Sequence, residues 1–96
     1  MKHITDQQRE VMLIAQEECA EVIQAISKIL RFGLDGTWQG RSNQERLEEE
    51  VGDLVCMIDL MKQHNLIDDE FVRHASIAKE IKLQKWSNIM EKANVS

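Results

Sequence analysis

From Thr5 to Gly33 the chain places Val11, Ile14, Val22, Ala25, Ile29 and Phe32 at helical spacing, with no proline to interrupt them. A rhythm of that length predicts one helix of about seven turns and leaves little chain for a sheet. Thr5-x-x-Gln8 has the form of a capping box, in which hydroxyl and amide satisfy the open helix start. Gly33 is a natural left-handed C-cap, and Leu34 can fold back against the last turn. The rest of the chain has the same leaning. It contains no proline and four glycines, and Leu, Ile, Met, Ala, Glu, Lys and Gln predominate, a mixture that favours helix nearly everywhere.

Residues 34–41, with two glycines as breakers, read as a loop. Ser42-x-x-Glu45 is a second capping box and opens a second helix. Leu47, Val51, Leu54, Ile58 and Met61 occupy one face of it, and Val55, Cys56, Met57 and Leu60 extend the apolar surface nearly all round. Such a helix is expected to be buried on most sides. Gln63-His64-Asn65 ends it, with Asn65 able to take the left-handed turn. Asp68 caps a third helix whose stripe is Phe71, Ala75, Ala78, Ile81 and Ile89, and fraying is expected from about Lys92. Three helices cannot cover so apolar a middle one. The expectation is a single all-α domain over residues 1–96, a four-helix-type bundle completed by homo-oligomerisation as a dimer or tetramer.

The formal charge of −5, from 17 acids against 12 Lys and Arg, argues against nucleic-acid binding through a basic face. It leaves a nucleotide ligand open, because a bound metal reverses the sign of a local site. Cys19 and Cys56 are isolated within helical patterns and read as reduced, semi-buried thiols of a cytoplasmic protein. The first six residues lack an apolar signal core. The longest apolar stretch, around residues 54–61, is broken by Asp59 and is too short to span a membrane.

Four carboxylates stand where apolar residues belong. At about 100° per residue, Glu18 falls in the middle of the first helix's stripe and Glu21 at its edge. Glu50 lies beside Leu47, Leu54 and Met61, and Asp53 between Met57 and Leu60, next to Gly52, which permits close helix approach. Each pair is spaced i, i+3 and projects from one side of its helix. Two packed helices would aim all four into one cleft. Unit charges about 4 Å apart repel by roughly 4 kcal/mol at an effective dielectric of 20, so the cluster must bind cations, pair with bases or take up protons. An all-oxygen donor set suits Mg²⁺ or Mn²⁺. A di-iron site would be expected to carry Glu-x-x-His, which this chain lacks; His3, His64 and His74 read as ordinary surface or partly buried residues.

Glu17-Glu18-Cys19-Ala20-Glu21 followed by Glu50-Val51-Gly52-Asp53 resembles the Glu-Glu-x-x-Glu … Glu-x-x-Asp signature of the MazG-like, all-α nucleoside triphosphate pyrophosphohydrolases. Ala15-Gln16 before it and Lys28-x-x-Arg31-Phe32-Gly33 after it extend the likeness, which covers roughly residues 10–65. The insert containing Trp38 departs from it by its length. The resemblance implies that Glu18, Glu21, Glu50 and Asp53 hold Mg²⁺, and that a nucleoside triphosphate is hydrolysed to monophosphate and pyrophosphate. Glu18 would position the attacking water, and Glu17 is either its partner or an exposed acid.

Triphosphate also needs bases. Lys82 and Lys85 share the stripe side of the third helix, and Lys28 and Arg31 line the edge of the first helix that carries Glu21; each could equally be a surface base with a buried stem. Trp38 could stack on a base or anchor its loop. Asn43 could read a base edge, although Ser42 already caps the helix. The expected function is nucleotide-pool house-cleaning. The alternatives are phosphoribosyl-ATP or dUTP hydrolysis within the same superfamily, a non-catalytic helical module with a structural metal, and a di-iron oxidase.

Overall fold

The computed structural model describes residues 2–90 and is all-α apart from one small hairpin. The elements run α1 (Asp6–Phe32), β1 (Thr37–Trp38), β2 (Arg41–Ser42), α2 (Asn43–Gln63) and α3 (Asp69–Trp86). The chain divides into two compact units, Met1–Leu66 and Ile67–Ser96.

Three local signals fix the helix starts. Thr5 and Gln8 form a complete capping box at α1, and Ser42 and Glu45 do so at α2. Asp68 accepts from the Phe71 N–H at α3. Bonds from the Ser42 N–H and hydroxyl hold the Glu45 carboxyl below its usual range. Gly33 ends α1 at φ +87° and ψ 165°, its N–H donating to the Ile29 carbonyl. That ψ lies far from the left-handed helical region expected for a C-cap glycine, so the chain leaves α1 extended, and Leu34 stays 52 % exposed. Asn65 takes the left-handed turn after α2, at φ +61°.

Within the first unit α1 and α2 pack as an antiparallel hairpin. Val11, Ala15 and Met57 form its buried core, with Leu60, Met61 and Leu66 against them. The Gln8 amide donates to the His64 carbonyl at the same end, 2.7 Å away. At the other end Asn43 is buried. Its backbone N–H donates to the Gly36 carbonyl (2.8 Å), its side-chain amide to the Gly33 carbonyl (3.0 Å), and the Gln44 N–H to the Leu34 carbonyl (3.0 Å).

Several expectations need correction. Residues 34–41 are not a plain loop: Thr37 pairs with Ser42 and Trp38 with Arg41. The two-residue connection has positive φ at both Gln39 (51°) and Gly40 (77°), the type I′ pattern whose twist matches the flanking strands. Arg41 ties this hairpin to Glu49 of α2 by an ion pair. Ile14 and Phe32 belong to the exposed side of α1, and α2 buries only Asn43 and Met57, because one partner helix covers a single face. Ile89 lies beyond the end of α3, so it cannot continue that helix's stripe. Both free cysteines are exposed. The fraying expected from Lys92 falls outside the described residues.

Gly36 is required by close approach. A Cβ there would stand 2.8 Å from the Asn43 amide nitrogen and 3.0 Å from the Phe32 carbonyl oxygen, and the amide nitrogen cannot move away without breaking its bond to the Gly33 carbonyl. Gly36→Ala is expected to destabilise the protein by about 1–3 kcal/mol, as overpacking does. Urea denaturation checks this, with Gly52→Ala as the comparison, since a Cβ there meets nothing within 4 Å and the position carries no positive φ.

Candidate metal and nucleotide site

The helical period and the antiparallel packing of α1 and α2 bring Glu18, Glu50 and Asp53 together. One carboxylate oxygen from each lies within 4.8 Å of the others. Glu18 and Glu50 are half-buried and Asp53 is exposed. Partial burial raises the Glu18 carboxyl first, followed by repulsion from Asp53, Glu21 and Glu17. Partial burial also leads for Glu50, followed by repulsion from Glu21, Asp53, Glu18 and Glu49. Glu21 is outside the close trio, yet its charge acts on both half-buried acids. Glu17 is exposed and adjoins Glu18.

Such a donor set fits a hard divalent cation. Oxygens on opposite sides of Mg²⁺ or Ca²⁺ stand about 4–5 Å apart, which is the span of this trio. The mutual repulsion that raises Glu18 and Glu50 is relieved equally by a cation or by a proton.

Two adjoining concavities extend from the acids. The first is lined by Glu21, Gln24, Ala25 and Lys28 of α1 and by Asn43, Arg46 and Glu50 of α2. The second, about 500 Å³, is formed by Lys28, Phe32, Gly36, Thr37, Trp38, Asn43 and Arg46. That volume is in the range of small-molecule sites. Lys28, Asn43 and Arg46 belong to both, so one wall runs from the acids to the indole.

Arg46 escaped the sequence reading. Its guanidinium carbon lies 4.6 Å from the Trp38 ring centroid, with Lys28 Nζ at 5.6 Å, and its Nη2 donates to the Trp38 carbonyl at 3.1 Å. Its Nε is sealed from solvent without an acceptor. The available signal was its spacing, one turn before Glu50 on the same helix. Of the other expected bases, Lys28 lines both concavities. Arg31 packs instead on the Phe32 ring, 5.4 Å from its centroid, and lines neither. Lys82 and Lys85 stand on α3 in the second unit.

Raised carboxyls make the metal-free fold pH-dependent. The folded state binds protons at Glu18 and Glu50 more readily than the unfolded chain. The stabilisation this gives is complete below the ordinary value of 4.5 and is lost as the pH climbs through the raised values. Near neutral pH in chelator, Glu50→Gln is therefore expected to melt above the wild type, with the gap closing as the pH falls. The same variant should lose most of the upward shift that millimolar Mg²⁺ or Mn²⁺ gives the wild type. Thermal denaturation followed by circular dichroism checks both effects; a lower melting temperature with the Mg²⁺ shift intact would count against the cation site.

Among the described residues, no helix is long and apolar enough to cross a membrane. No curated protein and no solved structure matches the chain. A family model described as the MazG nucleotide pyrophosphohydrolase domain matches residues 6–93, a span that includes the acidic trio, the hairpin and both concavities. The chain belongs to the MazG nucleotide pyrophosphohydrolase family.

Proposed function

We propose that the protein is a Mg²⁺-dependent nucleoside triphosphate pyrophosphohydrolase that cleaves NTPs or dNTPs to monophosphate and pyrophosphate. Its place would be the cytoplasmic nucleotide pool, with residues 1–96 serving as one MazG-like domain. The observation that carries this reading is the shared wall: Lys28, Asn43 and Arg46 join a carboxylate cluster to an aromatic concavity of nucleoside size.

Glu18, Glu50 and Asp53, with Glu21 beside them, would hold the cation, and Mn²⁺ would serve in place of Mg²⁺. The chemistry a divalent cation supplies at such a site is neutralisation of triphosphate oxygens and polarisation of water. Glu18 would orient the water by accepting a hydrogen bond from it, and the charge of Glu17, which raises the Glu18 carboxyl, would make that carboxylate a stronger base. In the reaction the water oxygen bonds to the α-phosphorus, the bond from that phosphorus to the α–β bridging oxygen breaks, and pyrophosphate leaves. Lys28 and Arg46 flank the path of the phosphates. Lys82, Lys85 and Arg31 remain candidate phosphate contacts from the sequence. The Trp38 ring offers a stacking face for the base.

A homo-oligomer, dimer or tetramer, fits the surface of the first unit. Leu30 is 82 % and Ile23 67 % exposed on α1, and Val51 and Val55 are exposed on α2. Static light scattering should report a mass of at least two chains.

Asp53→Asn and Glu50→Gln should each lower Mg²⁺-dependent pyrophosphate release on the order of 100-fold or more, since even outer partners of metal sites act on that scale. Trp38→Ala should raise KM about tenfold, in line with loss of a base-stacking contact. An assay of the common NTPs and dNTPs with and without Mg²⁺ tests the whole reading. Absence of pyrophosphate from every one of them would overturn it.

A further inference from the structure

Asn43 is 7 % exposed, and it is the buried polar residue among those described. Helix capping does not account for it, because Ser42 already accepts from the Glu45 N–H. The Gly33 carbonyl can only accept, so the bond to it at 3.0 Å turns the amide nitrogen of Asn43 toward the end of α1 and leaves Oδ1 the other way. Gly36 leaves the room this nitrogen occupies, since a Cβ there would stand 2.8 Å from it. Among the described residues none donates a hydrogen bond to Oδ1, and it is not sealed from solvent. A buried side chain thus presents one fixed, unpartnered acceptor on the wall shared by the two concavities.

We propose that Asn43 is a specificity-determining residue whose Oδ1 accepts a hydrogen bond from an exocyclic amino group of the nucleobase. The proposal deepens the nucleotide reading above and rests on it. Trp38 lines the same concavity and is 58 % exposed, with Arg46 at its ring, so a base stacked there has its plane set and its edge turned along the wall. Because Asn43 is recessed, a group that projects beyond the ring reaches it more readily than a ring N–H. Exocyclic amino groups project and donate. Keto groups project too, but their lone pairs would face those of Oδ1, and the amide nitrogen that could answer them is turned toward the Gly33 carbonyl. Cytosine and adenine therefore fit, as does guanine through its 2-amino edge, and uracil, thymine and hypoxanthine are disfavoured. A site built around a fixed hydrogen bond discriminates against ligands lacking the partner more sharply than an apolar pocket does.

Calorimetric titration of the full chain with nucleoside monophosphates tests this without metal or turnover. CMP is expected to bind about tenfold more tightly than UMP, and AMP than IMP, on the scale of one hydrogen bond gained against an acceptor pair opposed. CMP should also exceed its analogue lacking the 4-amino group. In Asn43→Ala each ratio should fall toward one, whereas loss of a purely structural role would lower the melting temperature and leave the ratios alone. The wild-type comparisons stand even if that variant does not fold. Equal affinity within each wild-type pair, a preference for the keto member, no binding at millimolar concentration, or ratios that persist in Asn43→Ala would each overturn the proposal. Pyrophosphate release from triphosphates with equal monophosphate affinities would reject base reading while sparing the hydrolase. Selective monophosphate binding without pyrophosphate release would reject the hydrolase and support the base reading.

Discussion

Glu18, Glu50 and Asp53 meet in the middle of a helix pair that is fastened at its two ends. At one end Val11, Ala15 and Met57 are buried, and Gln8 bonds to the His64 carbonyl. At the other, Asn43 and Gln44 are bonded to the carbonyls that follow α1. Between these fastenings, positions that would otherwise extend the apolar seam carry like charges. Packing energy is given up there, and the repulsion that replaces it is the force a cation would relieve. Without the two fastenings the acids would simply swing apart. Because the helices are tethered on both sides, the repulsion is retained as affinity for positive charge.

The hairpin between α1 and α2 has a related task. A two-residue type I′ connection is the shortest way to reverse an extended chain, and here it sets Trp38 beside the first turn of α2. Arg46, on that turn, lies at the indole ring and donates to the Trp38 carbonyl, while Arg41 across the hairpin pairs with Glu49. Aromatic ring and cations therefore brace one another before any ligand arrives. The ordering entropy of a mobile tryptophan is met by folding and does not fall on binding.

Features decided by neighbours in sequence were legible. The caps at Thr5, Ser42 and Asp68 depend on contacts three residues away, and the left-handed turn at Asn65 on its own backbone. The meeting of Glu18 with Glu50 and Asp53 followed from helical period plus antiparallel packing. Features decided by contacts between elements were not. A two-residue strand has no periodicity to detect, and Gln39-Gly40 lacks the Asn-Gly form that advertises a type I′ turn. Arg46 reads as one more surface base until the hairpin brings Trp38 over it. The apolar surround of α2 was visible in composition, yet one chain covers only the face at Met57. Apolar count is a property of the sequence, whereas burial depends on how many partners the helix has.

The charge of the site also explains why its bases come from its rim. A triphosphate approaching Glu18, Glu50 and Asp53 meets like charge, and the chain as a whole carries −5. A cation at the acids changes the sign only within a short, screened range. Lys28 and Arg46 lie farther along the wall, beside the indole, where they attract an anion without neutralising the carboxylates. Had either base stood within the trio, it would have formed an ion pair and removed the affinity for metal. Separating acids from bases along one wall would let a single small unit accept a cation and an anion together, and under the proposed function it would orient a nucleotide with its phosphates toward the acids and its base toward Trp38.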